Sequence, residues 1–184
     1  MGLSSSLEDA MNHGKQIRLF LTDGSAGGIR YAELMNWTGQ AFSCPKALFA
    51  KLKDWSETRR PGVYVLVGLN GDGKDAVYIG ESENVLKRLL WHLRKSTLDD
   101  IVEAFFFTSK DDNLTKGHTT HLEQRLVKRA EEAKQYVVEY GREPSKKTLS
   151  KPETETMEEF LDHLYLVSAA LGFTVFEISA PGQD

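Results

Sequence analysis

The sequence predicts an α+β fold, and three observations carry that expectation. Two β-rich runs, residues 62–69 and 75–80, flank the turn signal Asn70-Gly71-Asp72-Gly73-Lys74 and read as a hairpin. A helix pattern follows at 84–95, with Leu86, Leu89, Leu90 and Leu93 as its apolar stripe. A third β-rich run, 101–108, holds Phe105-Phe106-Phe107 and precedes a long amphipathic helix at about 115–137. Hairpin, helix, strand and helix thus form the centre of the chain.

The flanks read as additions to that centre. Residues 1–14 are polar and expected to be loose at their tip. Residues 17–22 are rich in β-formers, and 29–37 could supply a second short strand after Gly27-Gly28. Pro45 suits the first position of a helix, with Leu48, Leu52 and Trp55 following at helical spacing. In the long central helix, Leu122, Leu126, Ala130, Ala133 and Val137 repeat every three or four residues. Residues 142–155 are polar and proline-bearing, hence a loop. Thr156 and Glu159 form a capping-box pair ahead of Phe160, Leu161, Leu164, Val167 and Leu171. Gly172 ends that helix, and 173–178 reads as a closing strand. The expected division is therefore an N-terminal extension at 1–60, a central unit at 61–141 and a linker, helix and strand at 142–184.

Composition narrows the class of protein. The chain has 184 residues, 40% of them hydrophobic and 27% charged, which suits one soluble domain with a real core. Its apolar runs are far short of the roughly 20 residues needed to span a bilayer. Residues 1–14 lack the pattern of a secretory signal, so a cytoplasmic location is expected. The single cysteine, Cys44, allows neither an intramolecular disulfide nor a Cys-rich zinc site. A net charge of -4 disfavours a protein that coats nucleic acid non-specifically. Yet Lys87, Arg88, Arg94 and Lys95 fall in one stretch with no acid among them. An acidic protein can carry a basic catalytic cleft, and Lys87, Arg94 and Lys95 are candidates for nucleic-acid contact.

One constellation in the centre has chemistry in it. If Leu69 pairs with Asp75 across the turn, Leu66 faces Tyr78 and Tyr64 faces Gly80. All four then lie on one face of the sheet. Arg88 and His92 are one helical turn apart and share a face. Two phenols, an arginine, a histidine and a distant glutamate, Glu123, are parts suited to phosphodiester hydrolysis. Arg binds phosphate with a planar fork. Mg²⁺ takes as few as one or two carboxylates and fills its shell with water and substrate, so a lone Glu123 suffices. Two candidates for the base stay open. An unperturbed tyrosine needs about 4 kcal/mol to form phenolate at pH 7, whereas an unperturbed histidine titrates near 6.5.

Gly62-Val63-Tyr64, Tyr78-Ile79-Gly80, the helix bearing Asn84, Arg88 and His92, and Glu123 together resemble the GIY-YIG nuclease family, in order as well as content. The resemblance covers residues 61–140. It implies a small three-stranded antiparallel sheet flanked by helices and a metal-dependent endonuclease acting on nucleic acid, DNA first. Tyr64, Tyr78, Arg88, His92 and Glu123 would be its catalytic residues. Glu123 would be the ligand of Mg²⁺ or Mn²⁺, and the first tyrosine the leading base. Two positions depart from the family pattern. Tyr140 stands where an asparagine usually braces the site, and His121 where relatives commonly carry an aromatic residue. Tyr140 favours a rival expectation, a weak or inactive GIY-YIG-like module that binds nucleic acid or protein.

Two other readings fail on chemistry. Gly68 to Asp75 approximates a phosphate-binding P-loop, but Asp75 stands where Ser or Thr must hold Mg²⁺, and a strand follows where a helix is required. His118 and His121 near Glu123 could be zinc ligands, but no further strong ligand adjoins them.

Overall fold

The computed structural model describes residues 13–95, 97–141 and 148–179. Residues 1–12 of the expected polar segment 1–14 and residues 142–147 of the expected loop lie outside them. In chain order the elements are β1 (Ile17–Leu21), β2 (Arg30–Leu34), β3 (Gly39–Pro45) and two 3-10 segments, Lys46–Asp54 and Ser56–Arg59. Then come β4 (Gly62–Leu69), β5 (Asp75–Ser82), α1 (Val85–His92), β6 (Asp100–Ser109), α2 (Lys116–Ala133), β7 (Val137–Glu139) and α3 (Lys151–Ala170). No helix among the described residues is long and apolar enough to cross a membrane.

The α+β class stands, but the expected three-stranded antiparallel sheet is only the middle of a larger one. Seven strands form a single mixed sheet in the order β1-β2-β3-β6-β4-β5-β7. All neighbours are antiparallel except β5 and β7. The enlargement comes from β3, which pairs with the free side of β6 from Gly39 opposite Ser109 to Pro45 opposite Glu103. Its sequence, Gly-Gln-Ala-Phe-Ser-Cys-Pro, has few β-formers, so partners in the sheet decide its conformation. Pro45 consequently closes β3 instead of opening an α-helix, and the helix expected after it is 3-10.

Each central strand is buried on both faces, and alternation assigns its side chains to two cores. Val63, Val65, Phe105 and Phe107 join Leu122 and Leu126 of α2 and Phe160, Leu161 and Leu164 of α3. Tyr64, Leu66 and Phe106 turn the other way, toward Val85, Leu86 and Leu89 of α1 and toward Phe49 and Leu52. Phe105-Phe106-Phe107 therefore serves two hydrophobic layers.

Three further boundaries differ from expectation. The long helix stops at Ala133, where Lys134 adopts a left-handed conformation (φ 55°) and its N–H bonds the Ala130 carbonyl. The β-branched pair Val137-Val138 then pairs in parallel with Ala76 and Val77. α3 starts from Ser150 rather than Thr156, because Ser150 and Glu153 form a complete capping box with Pro152 in the first turn. The closing strand expected at 173–178 is absent. Phe173, Val175 and Phe176 are buried, Phe173 stacking on Phe105 at 3.8 Å. Side chains, not a strand ladder, engage the backbone there: Arg129 donates to the Phe176 carbonyl and Gln135 to that of Glu177.

Candidate active site

The β4–β5 register is the one the turn implied, with Leu69 opposite Asp75, Leu66 opposite Tyr78 and Tyr64 opposite Gly80. Tyr64 and Tyr78 consequently share a face, their ring centroids 6.3 Å apart. Gly80 is required by this arrangement, since a Cβ there would collide with the Tyr64 hydroxyl. Gly80→Ala is expected to destabilise the fold by about 1–3 kcal/mol through overpacking, read as a lowered urea midpoint. An unchanged midpoint would show that the Tyr64 ring has room to move.

α1 brings the other side chains to the same place. Asn84 caps it, its side-chain oxygen accepting the Lys87 N–H at 2.9 Å. The buried side of the helix is Val85, Leu86, Leu89 and His92. His92 thus takes an inward place while Leu93, expected on the apolar stripe, is 41% exposed. Arg88 donates from Nε to the Tyr64 hydroxyl at 3.2 Å, and that hydroxyl lies 2.8 Å from His92 Nε2. His92 Nδ1 is 2.6 Å from Thr97 Oγ1. Because Tyr64 accepts from Arg88, its own proton is assigned to His92 Nε2. His92 is then the Nδ1–H tautomer and donates to Thr97. Tyr78 completes the surround of the imidazole, 5.1 Å away between centroids.

The environment sets the charges. Tyr64 is fully buried, and burial holds its pKa well above the ordinary value against the hydrogen bond from Arg88. Burial and then the charge of Arg88 push His92 down to about 4, so the ring is neutral at pH 7. Burial works against the charge of Arg88, but its contacts with Tyr64 and Tyr78 outweigh that and its pKa is raised. The result is a fixed cation anchored on a neutral, hydrogen-bonded Tyr–His–Thr chain. Tyr78, only partly buried, is the phenol with access to solvent.

Glu123 is half-buried on α2, close enough that its charge helps raise the Tyr64 pKa. It offers one hard oxygen donor group. Among the described residues no group of three or more His, Cys, Asp and Glu side chains is placed to hold a metal. A single carboxylate fits a Mg²⁺ that keeps most of its water, and it does not fit a four-ligand zinc centre. His118 and His121 are occupied elsewhere. His118 completes the capping box of α2 and faces Glu153 at 3.4 Å, while His121 bonds Glu158 at 2.9 Å beside the Arg125–Glu158 fork. His121 therefore joins α2 to α3. The segment from Gly68 to Asp75 is the end of β4, a hairpin turn at 70–74 and the start of β5, with Asn70 accepting the N–H groups of Asp72 and Lys74.

Of the expected nucleic-acid contacts, Lys87, Arg94 and Lys95 are all exposed on or just beyond α1. Tyr140 is 56% exposed, while the next residue, Gly141, packs against the Tyr78 hydroxyl. Two participants were not singled out from the sequence. Thr97 lies beyond the helix and carries no local signal. Trp91, 40% exposed, has the Arg88 guanidinium 4.2 Å from its ring centroid. An aromatic residue off the apolar stripe of a basic helix was the available clue. No protein-family model, curated protein or solved structure matches the chain.

Proposed function

We propose that this chain is a divalent-metal-dependent endonuclease of GIY-YIG type, hydrolysing phosphodiester bonds of nucleic acid, DNA first. The observation that carries the reading is Arg88, held by its Nε on the buried Tyr64–His92 pair and in contact with Tyr78, with Glu123 near enough for its charge to act on Tyr64. Anchoring Nε leaves the Nη amino groups as the donors for phosphate oxygens. The charge is then in place before substrate arrives, as electrostatic stabilisation of a phosphoryl transition state requires. Tyr64 and His92 act through Arg88 as positioning residues. Tyr78, the more accessible phenol, orients the attacking water or the phosphate. Glu123 would hold Mg²⁺ or Mn²⁺, which when bound supplies neutralisation of charge on the leaving oxygen.

The test is cleavage of plasmid DNA by the pure chain with Mg²⁺, beside Glu123→Gln and a chelator. Activity is expected to vanish in both while the circular dichroism spectrum of the variant is retained. Cleavage by Glu123→Gln at the wild-type rate would remove Glu123 from the mechanism. A second reading has its own support in the complete burial of Tyr64 and in Tyr140 at the bracing position. It makes the chain a non-cleaving module that binds nucleic acid or protein on the same scaffold. Retention of labelled DNA with no nicking under any divalent metal would favour it.

A further inference from the structure

The surface at the end of α1 combines features that the hydrolytic proposal does not use. Trp91 exposes an aromatic ring flanked by two cations, Arg88 at 4.2 Å and Lys95 at 5.9 Å from the ring centroid. Lys95 also lines a cavity of 170 Å³ with Lys46, Arg94, Asp99 and buried His92. Three cations and Asp99 line this space, and Lys46 is itself paired with Asp100 at 3.3 Å, which leaves Arg94 and Lys95 as the main cationic donors. The cavity is below the roughly 300 Å³ at which pockets for whole small molecules begin, so a phosphate suits it better than a nucleoside. An aromatic face that shares Lys95 with a cation-lined cavity matches the two halves of a nucleotide.

We propose that the C-terminal end of α1 binds an unpaired nucleotide of the substrate strand, its base stacking on Trp91 and its phosphate entering the cavity at Arg94 and Lys95. A base inside a duplex has both faces covered by its neighbours, so Trp91 engages only single-stranded or splayed nucleic acid. The inference rests on the nuclease reading for its position beside Arg88. It names the substrate class: strands with an unpaired stretch at the cut, rather than continuous duplex.

Binding without metal tests this apart from cleavage. The full chain in EDTA is titrated with a fluorescein-labelled oligothymidylate, an abasic strand of equal length and a blunt duplex. The base-bearing strand is expected to bind about tenfold more tightly than the abasic one, the size of one base–aromatic stack. Trp91→Leu should erase that preference and Trp91→Phe should keep most of it. A merely structural role for Trp91 would not distinguish strands with and without bases. Arg94→Gln combined with Lys95→Gln should weaken both strands alike and flatten the dependence on salt. Equal binding of the two strands by the wild type, a preference that survives Trp91→Leu, or equal affinity for the duplex would each overturn the proposal. A Trp91-dependent base preference with no cleavage in Mg²⁺ of either a plasmid or a strand bearing an unpaired stretch would leave it standing and remove the nuclease reading. Nicking without that preference would do the reverse.

Discussion

Under the nuclease proposal, Arg88→Ala lowers single-turnover cleavage by about two to three orders of magnitude while affinity for uncut strand falls far less. The difference arises because the Arg88 charge is fixed before the reaction, so it acts most on the charge that develops during it. Lysine is expected to rescue poorly. One ammonium group cannot both bond the Tyr64 hydroxyl, as Nε does at 3.2 Å, and present a fork to phosphate. A readout independent of activity accompanies this. The charge of Arg88 is the second cause of the depressed His92 pKa, so that pKa should rise in Arg88→Ala, followed by NMR of the ring protons. Near-normal turnover with weakened binding would reduce Arg88 to a substrate-positioning contact.

The site was legible where local signals and register agree. The turn at Asn70 to Lys74 sets the pairing of Tyr64 with Gly80, and helical spacing alone puts Arg88 and His92 on one side of α1. What sequence could not supply was depth. Leu86, Leu89, Leu90 and Leu93 suggested the inward stripe, and Leu86 and Leu89 do face in, but the helix ends at His92, which is buried, and Leu93 at its C-cap is exposed. The reason lies in the partner surface: the Tyr64 hydroxyl and Thr97 give a buried imidazole both of its hydrogen bonds, and no sequence window contains all three residues. The same holds for the fold. Hairpin and helices were readable, whereas β3 exists because β6 has an open side, and β7 because β5 has one. Pairing partners distant in sequence decided both. At the other end of the chain, the closing strand expected at 173–178 is replaced by a segment that buries Phe173 and Phe176, with Arg129 and Gln135 bonding its carbonyls where a strand would have used a neighbour.

The Tyr64–His92 pair should also appear in stability measured against pH. An unfolded histidine takes a proton near pH 6.5, whereas the buried ring of His92 does so only at about 4. Between those values the unfolded chain binds more protons than the folded one, so stability rises with pH across that window and is lost as pH falls through it. The loss attributable to His92 is on the order of 3 kcal/mol. It should be visible as a fall in urea midpoint from pH 6.5 to 4 that is blunted in His92→Gln. Glu33, Asp111 and Glu158, with their lowered pKa values, add an acid limb of their own, and the difference between wild type and variant cancels it. Tyr64→Phe leaves His92 Nε2 buried without its donor, which is expected to destabilise the fold by about 1–3 kcal/mol. It also releases Arg88 from its anchor, so turnover should fall by roughly the hundredfold that loss of a charge-positioning contact brings. Because His92 is neutral well above pH 4, under the nuclease proposal the cleavage rate of the unmodified chain should show no limb near pH 6–7. A limb there that disappears in His92→Gln would overturn the neutral relay and make His92 the base.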